Sequence, residues 1–382
     1  MRIGIMANEL NYLLGGGASF QDSILKTIVK FETNHEIFIF YKGNQQLEDT
    51  KNINFINLFD LSEHEKSDFP PPPYDSLINK ACSDYKIDLM YFPSPIALRA
   101  VTVPYVMTIW DLQHRLQPYF PEVSVKGKGG GEFEEREAFY QKYLPKASYI
   151  IIGNQAGKNQ VMNFYNIPDF RIKTIPMPVD DSFFETYTDI DIKQKFNIKN
   201  DYIFYPAQFW PHKNHIRLLQ ALKILNSKGK NYSLVFTGSD QGNLDYINKK
   251  ITEMNLQDQV YNLGFVEKED LISLYKNAAC LVFPSFFGPD NIPPLEAMAL
   301  GCPVICSNSE GMPEQLGDSA LFFNPCDENE IVDCIKKLQN KETRTQLIEK
   351  GFKLAIQRTS SIYVTKLFNI IDDFKAIREC WE

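Results

Sequence analysis

Short apolar runs that alternate with amphipathic helical stretches constrain the fold of this chain most. The runs are continuous rather than alternating, which is typical of parallel strands covered on both faces. Stretches with helical spacing of apolar residues separate most of them. Because this series occurs twice, the sequence predicts an α/β protein with two doubly wound domains facing each other. The runs are RIGIM, HEIFIFY, LMYFP, YVMTIWD and SYIIIGN in the first half and DYIFYPA, YSLVFTG, QVYNLG, CLVFPS and PVICSN in the second.

The length of 382 residues suits two domains rather than a single core. A break between them is predicted in residues 175–187, where two prolines interrupt regular structure and no periodicity continues. The first domain is therefore predicted over 1–185 and the second over 186–361. The last stretch, residues 362–382, reads as an amphipathic helix that closes the chain.

Two further segments have loop composition. Residues 67–75 (SDFPPPPYD) are rich in proline, and residues 125–135 (VKGKGGGEFEE) are rich in glycine and lysine. The second segment is predicted to be a mobile loop near the place where a substrate enters.

Composition and charge exclude several classes of protein. The net charge of −8 argues against a broad electrostatic contact with nucleic acid. Seven scattered cysteines without a CxxC pair indicate reduced, mostly buried thiols in a cytoplasmic protein. The amino-terminal stretch has one basic residue and a broken apolar run, so no signal peptide or membrane anchor is predicted.

Gly15, Gly16 and Gly17 follow the first predicted strand and precede a predicted helix. Glycine permits close approach of the backbone, and a helix N-terminus offers unpaired N–H groups to an anion. The segment is neither GxGxxG nor a P-loop, so a phosphate or sugar contact and a plain tight turn both remain open.

Lys213 lies at a strand-to-helix junction within YPAQFWPHKNH, which follows the first strand of the second half. In doubly wound sheets ligands bind in the crevice at the carboxyl ends of the strands, and a lysine at this junction points toward that crevice. The alternative is a solvated lysine.

The stretch FPSFFGPDNIPPLEAMALGCPVICSN places Glu296 in a small, apolar helix that follows a strand. Pro293 and Pro294 suit a first helical turn, and we expect Glu296 in the same turn. There it could complement the helix dipole, which is worth about 0.3–1 kcal/mol. The loop containing Asp290 lies on the ligand side of the sheet, so we favour a carboxylate that accepts two ribose hydroxyls while the helix N-terminus faces a diphosphate.

The segment IWDLQHRLQPYFPE places Asp111 and His114 directly after a strand of the first half. Asp111 reads as a cap or loop-starting residue, or as a contact to an acceptor hydroxyl. His114 reads as a general base, a substrate contact or a structural histidine. There is no GxSxG, HExxH, EF-hand or CxxC pattern and no D-x-D pair, so a reaction without metal or cofactor is the simpler expectation.

Residues 284–325 resemble the donor-site signature of glycosyltransferase family 4, retaining enzymes of the GT-B fold. The segments TIWDLQH, AQFWPHKN, FTGSD and NLGFV follow in the family's order, so the resemblance covers nearly the whole chain. It implies two Rossmann-like domains with the active site between them. It also implies that the closing helix crosses back onto the first domain.

The resemblance also implies roles for individual residues in binding a nucleotide-diphosphate sugar. Glu296 would bind the ribose, and Lys213 would neutralise the diphosphate. The other implied donor contacts are Gly264 and Phe265 at the base, Asn291 and Ile292 through their backbone at the phosphates and sugar, and Gly15, Gly16 and Gly17 from the other domain.

Three positions depart from the family's pattern. A glutamate that contacts the transferred sugar is replaced by Gly288, and Asp290 is the nearest acid. An arginine of the phosphate-binding pair is replaced by Gln208, and a histidine before Asp111 is replaced by Trp110. These changes predict a divergent subgroup with a differently built sugar pocket, in which Gln208 and Asp290 take part in donor binding.

The expected function is retaining transfer of a hexose from a UDP- or GDP-type sugar to a glycan or lipid-linked acceptor, as in polysaccharide biosynthesis. Asp111, His114 and Lys213 are the expected catalytic residues, and the leaving diphosphate would assist proton removal. A peripheral contact with the inner face of a membrane is compatible with this function, and the oligomeric state is left open. The alternatives are a GT-B epimerase or phosphorylase, and a nucleotide-sugar-binding scaffold that has lost catalysis.

Overall fold

The computed structural model describes residues 1–7, 16–42, 52–58, 60, 74–95, 100–124, 133–188 and 190–381. Within these residues the chain forms two parallel sheets with helices packed around them. The predicted α/β class with two doubly wound sheets is therefore confirmed.

The first sheet has seven parallel strands in the order β3-β2-β1-β4-β5-β6-β7. Its order reverses between β1 and β4, and such a switch point opens a crevice at the carboxyl ends of the strands. Its strands are β1 (Arg2–Met6), β2 (Glu36–Tyr41), β3 (Ile53–Asn57), β4 (Leu89–Phe92), β5 (Tyr105–Thr108), β6 (Tyr149–Ile152) and β7 (Ile172–Thr174).

The second sheet has six parallel strands in the order β10-β9-β8-β11-β12-β13. Its switch point lies between β8 and β11. The loop with Lys213 follows β8 and the loop with Asp290 follows β11, so both loops start at this switch point. Its strands are β8 (Tyr202–Pro206), β9 (Ser233–Thr237), β10 (Val260–Asn262), β11 (Cys280–Phe283), β12 (Val304–Ser307) and β13 (Ala320–Phe323).

Helices cover both sheets. In the first half they are α1 (Gly16–Lys30), α2 (Tyr74–Asp84), α3 (Gln113–Leu116), α4 (Pro121–Ser124), α5 (Phe133–Tyr143) and α6 (Gln155–Tyr165). In the second half they are α7 (Ile192–Lys195), α8 (His215–Ser227), α9 (Leu244–Glu253), α10 (Lys268–Asn277), α11 (Ile292–Ala299), α12 (Met312–Leu316), α13 (Glu328–Lys337), α14 (Lys341–Ala355) and α15 (Ser360–Arg378). Short 3₁₀ helices span Leu144–Lys146, Asp169–Arg171, Asp181–Phe184, Pro211–Lys213 and Gly317–Ser319.

Every apolar run that the sequence analysis identified as a strand forms one. Three further strands, β3, β7 and β13, were not identified from the sequence. Strands β3 and β7 contain polar residues and lack the continuous apolar run that identified the other strands, whereas β13 (ALFF) is such a run and was missed.

The two segments predicted to be loops, residues 67–75 and 125–135, both end in residues that are helical. Residues 133–135 begin helix α5, where Glu134 and Glu135 in the first turn complement the helix dipole. Residues 74–75 begin helix α2. The remainder of both segments, including the glycine-rich part predicted to be a mobile loop, lies outside the described residues.

Helix α15 crosses back onto the first sheet, as the resemblance implied. Tyr363, Leu367 and Ile371 on its buried face share one apolar cluster with Phe20 and Ile24 of helix α1. The strands of the first sheet end at Thr174 and those of the second begin at Tyr202. The domain boundary near residue 185 stays a prediction.

Five of the seven cysteines are buried, and none of the seven forms a disulfide. Among the described helices, none combines the length and the apolar character that crossing a bilayer requires.

The crossing helix offers a direct test of its packing. Replacing Ile371, which is 0% exposed, by Ala should lower the free energy of unfolding by about 2–5 kcal/mol, because a cavity opens in the first-domain core. Ile377→Ala is the matched control, since Ile377 lies on the same helix and is 48% exposed. Urea denaturation of both variants measures the difference. Equal losses would contradict the packing of α15 described above.

Candidate functional site

A cleft of about 540 Å³ lies where loops from the two sheets face each other. Residues of both domains line it, and among them are most of the residues expected from the sequence to bind or react. Those expected residues are Gly17, Asp111, Gln208, Lys213, Gly264, Phe265, Asp290, Asn291, Ile292 and Glu296.

Lys213 ends the short 3₁₀ turn after β8, and Asn214 in the left-handed region starts helix α8 from there. Its ammonium lies 3.4 Å from the Asn291 side-chain oxygen and 5.3 Å from the centre of the Phe283 ring. Burial lowers the pKa of Lys213 to about 8, against the opposing effect of Asp111 and Glu122. The Lys213 ammonium is therefore held in the cleft by these contacts and does not extend into solvent.

Glu296 lies in the second turn of α11, because the helix already begins at Ile292. The expectation of a first-turn glutamate is wrong, so complementing the helix dipole is not its main role. Its carboxylate accepts a hydrogen bond of 2.6 Å from the Tyr275 hydroxyl. Burial raises the pKa of Glu296 to about 7, and Asp180 adds to the rise.

The loop before α11 explains why the glutamate of the family's pattern is absent. Gly288 has a φ of +125°, and an added Cβ would lie 2.2 Å from the Asn291 amide nitrogen. The Asn291 side chain fills this space and donates to the Gly288 carbonyl at 2.7 Å. Asn291 therefore occupies the volume that a side chain at position 288 would need.

Asp290 joins the two domains. One carboxylate oxygen accepts a 2.9 Å hydrogen bond from the Met177 backbone N–H, and the other accepts a 2.5 Å hydrogen bond from the Gln315 amide. The carboxylate also lies against Gly153, where an added Cβ would clash with it. Burial raises the pKa of Asp290 to about 7, and the Met177 N–H opposes the rise. Both oxygens are thus already used by the protein, although the residue lines the cleft.

Ile292 contributes packing rather than polar contacts through its side chain, which lies against the apolar cluster of the first domain. The backbone N–H of Asn291 donates to the Gln315 side chain at 3.1 Å. Gln315 therefore holds the N-terminal end of α11 in place.

Gln208 and the adjacent pair Gly264 and Phe265 line the cleft from two different loops. The Gln208 amide donates to the Ser239 hydroxyl at 2.9 Å and accepts from the Trp210 indole at 3.1 Å. Gly264 has a φ of +65° with open space beside it, and Phe265 is 57% exposed. An exposed aromatic ring beside open backbone suits a planar base.

The first domain contributes Asp111 after β5. Its carboxylate accepts hydrogen bonds from the Gln113 backbone N–H at 2.9 Å and from Arg136 at 2.7 Å. Burial opposes ionisation of Asp111, but Arg136 and the Gln113 N–H outweigh it and lower the pKa. Asp111 is thus both the turn residue that starts α3 and an anionic group in the cleft.

His114 is not brought to the cleft. It is 0% exposed and its Nε2 lies 3.2 Å from Glu137 and 3.3 Å from the Tyr165 hydroxyl. Burial and Arg136 lower the pKa of His114 to about 4. This placement favours the structural alternative over a general base.

The glycine turn is only partly described. Gly15 lies outside the described residues, and Gly16 begins helix α1. Gly17 lines the cleft, and an added Cβ there would lie 2.3 Å from the Trp110 ring. Glycine at this position is therefore required by the indole that stands where the family's pattern has histidine.

Three ionisable residues of the cleft wall were not selected from the sequence: Glu122, Arg136 and His212. His212 was visible only as a neighbour of Lys213. Glu122 is the last residue of the segment that contains Asp111 and His114, and Arg136 follows the segment rich in glycine and lysine. The roles of both depend on contacts with residues distant in the chain. No group of three His, Cys, Asp or Glu side chains among the described residues is arranged to hold a metal ion.

Residues 187–354 match the family model described as glycosyl transferases group 1. The chain is 28% identical over 231 residues to O-antigen chain mannosyltransferase B of Escherichia coli, covering 59% of this chain and 61% of that protein. It is also 28% identical over 247 residues to O-antigen chain mannosyltransferase RfbU of Salmonella typhimurium, covering 62% and 63%. The matched part thus spans about three fifths of these curated relatives. Together these matches support a glycosyltransferase of group 1, the type that the sequence resembles, without defining a family subgroup.

Solved structures resemble the whole fold. Sucrose-phosphate synthase from Thermosynechococcus elongatus superposes with a TM-score of 0.76 at 15% identity, covering 98% of this chain and 99% of that one. Anabaena HepE in complex with UDP-glucose gives a TM-score of 0.73 at 17% identity, covering 98% and 100%. These similarities confirm the GT-B fold.

The raised pKa of Glu296 gives a pH test of the site. A native carboxyl with a pKa of about 7, above its ordinary 4.5, binds more protons than the unfolded chain between these values, so stability falls as pH rises. From pH 5 to pH 8 the wild type should lose on the order of 2–3 kcal/mol relative to Glu296→Gln, which stays neutral. Denaturation at both pH values measures this.

Glu349→Gln is the control, because it makes the same chemical change on the exposed face of α14. If the difference between wild type and Glu296→Gln is the same at both pH values, Glu296 is not desolvated as described.

Proposed function

We propose that this chain, a member of the glycosyltransferases with the GT-B fold, transfers a hexose-type sugar from a nucleotide-diphosphate sugar to a hydroxyl of a glycan or lipid-linked acceptor. The observation that carries the proposal is the pair Lys213 and Glu296, a partly buried cation and a partly buried carboxylate in one cleft beside the switch point of the second sheet. Crevices at such switch points are where α/β sheets bind nucleotides.

The second domain would hold the donor nucleotide. Glu296 would accept hydrogen bonds from the two ribose hydroxyls, in addition to the one that its carboxylate accepts from Tyr275. Lys213 and the N-terminus of α11 at Ile292 would meet the diphosphate. Gly264 and Phe265 would face the base.

Diphosphate binding fits the electrostatics of Lys213. Burial lowers its pKa to about 8, so the isolated site disfavours the charged form that a diphosphate needs. A nearby dianion raises the pKa of a lysine, so donor binding would secure its proton. Because Gln208 is neutral, Lys213 would supply the main positive side-chain charge next to the diphosphate.

In the chemical step, the bond between the sugar and the diphosphate breaks and the acceptor hydroxyl attacks the sugar on the same face. The departing diphosphate takes the acceptor proton, so no protein nucleophile is needed. Lys213 and the N-terminus of α11 stabilise the charge that develops on the leaving diphosphate. Asp111 and Arg136 across the cleft orient the acceptor, and enclosure by both domains keeps water from the donor. This scheme needs no metal ion.

The relatives indicate which donors to test first. Their names describe O-antigen mannosyltransferases, so GDP-mannose is the first candidate and a surface polysaccharide the first candidate product. HepE is described in complex with UDP-glucose, so UDP-glucose is the second candidate donor. A lipid-linked acceptor would bring this chain to the inner face of a membrane.

A binding scaffold without catalysis is the second candidate. Gln208 and Gly288 support it, because both replace polar family residues and Asn291 fills the space beside Gly288. Tight donor binding without turnover over a broad acceptor panel would favour the scaffold. Donor consumption without any acceptor, or a requirement for phosphate, would favour an epimerase or phosphorylase.

Thermal shift with UDP-, GDP-, ADP- and dTDP-sugars and the free diphosphates tests the donor site. One nucleotide class should raise the melting temperature, and Glu296→Gln and Lys213→Met should each weaken its binding about 10- to 100-fold. This range corresponds to losing a hydrogen bond to a charged group, about 1.5–3 kcal/mol.

Lys223→Met is the matched control for Lys213→Met, because Lys223 is exposed on α8. It should bind like the wild type. If no nucleotide shifts the melting temperature of the wild type, or if both cleft variants bind like the control, the donor site is placed wrongly.

A further inference from the structure

One carboxylate oxygen of Glu122 accepts no hydrogen bond from the described residues. The residue lies in the short helix α4 of the first domain, is 5% exposed and lines the cleft. Among the described residues, nothing forms a hydrogen bond with its buried Oε2 atom. A buried acceptor without a partner is costly, about 1–3 kcal/mol or more for a charged group.

The other oxygen, Oε1, receives all the protein contacts. His212 of the second domain contacts it through Nδ1, and since a carboxylate only accepts, Nδ1 carries the hydrogen. The His212 backbone N–H and the Gln113 amide also donate to Oε1, each at 3.4 Å. These contacts fix the carboxylate and leave its buried Oε2 atom without a donor among the described residues.

The ionisation of Glu122 supports the same reading. Burial opposes it, but the hydrogen bonds from the His212 side chain and backbone N–H outweigh burial and lower the pKa of Glu122. Glu122 also raises the pKa of Lys213, so the two groups interact electrostatically across the domain boundary. Oε2 is therefore an anionic acceptor near the cation that would meet the diphosphate.

The segment before Glu122 fixes its position against the second domain. The Gln117 amide donates to the Phe286 carbonyl at 2.9 Å. The Phe120 ring lies 5.9 Å from the Phe286 ring and 6.1 Å from the His212 ring between centroids. Glu122 is thus placed by contacts between the domains rather than by its own short helix.

We propose that Glu122 Oε2 accepts a hydrogen bond from a hydroxyl of the transferred hexose and thereby contributes to the choice of sugar. The hexose is attached to the diphosphate, so its hydroxyls lie close to whatever surrounds Lys213. Sugar hydroxyls are neutral hydrogen-bond donors. A neutral donor suits the Glu122 carboxylate because the nearby Lys213 ammonium already balances its negative charge. The inference rests on the proposed function, because it takes the ligand of the cleft to be a sugar nucleotide.

The test compares how much the sugar adds to nucleotide binding in the wild type and in Glu122→Gln. Calorimetry gives the dissociation constants of GDP-mannose and GDP, and of UDP-glucose and UDP. Gln keeps the size of the side chain and an oxygen for His212 but replaces the anionic Oε2. We expect Glu122→Gln to weaken binding of the sugar nucleotide about tenfold while binding of the free nucleotide is unchanged.

Gln117→Ala is the matched control, because Gln117 belongs to the same docking segment but does not line the cleft. If Glu122 only docks the domains, both variants will change sugar nucleotide and free nucleotide binding by equal factors, and the inference is overturned. The inference is also overturned if Glu122→Gln leaves the ratio of the two dissociation constants, for the sugar nucleotide and for the free nucleotide, unchanged. In that case Oε2 faces water or the acceptor. A wild type that binds no nucleotide overturns the proposed function itself and the inference with it, which separates the two failures.

Discussion

Removal of ionisable groups from water at the cleft between the two sheets is the constraint on which the rest of the site depends. Burial lowers the pKa of Lys213 to about 8 and raises the pKa of Glu296 to about 7, so each group is held near the point of losing its charge. A dianionic diphosphate and a pair of ribose hydroxyls are the partners that would stabilise the charged forms. We propose that the protein positions these charges in advance for a ligand with this pattern of groups, which is how preorganised sites stabilise a developing charge.

Both domains are needed to build this environment. Asp290 of the second domain accepts from the Met177 backbone, and Glu122 of the first domain accepts from His212. Glu314 accepts from the first backbone N–H groups of α6 at 2.7 and 3.1 Å, where a helix N-terminus favours an anion. These contacts hold the two domains together around the cleft. The positions of the side chains in the cleft therefore depend on the hydrogen bonds between the domains.

The sequence predicted the parts of the fold that depend on local pattern. Continuous apolar runs identified the buried strands, and the junctions after β8 and β11 identified Lys213 and Glu296. Local pattern could not identify Glu122 or Arg136, because each is positioned by a partner far away in the chain. It also left the role of His114 open, since spacing after a strand does not show whether a side chain points into the cleft or, as here, toward Glu137. Gly17 was noted as a candidate phosphate contact, whereas its lack of a side chain is required by the Trp110 ring.

A crystal structure with the sugar nucleotide that gives the largest thermal shift tests the central claim most directly. The account predicts that both ribose hydroxyls lie within hydrogen-bond distance of the Glu296 carboxylate and that the diphosphate contacts the Lys213 ammonium. A nucleotide bound elsewhere, or bound with its ribose away from Glu296, would contradict it.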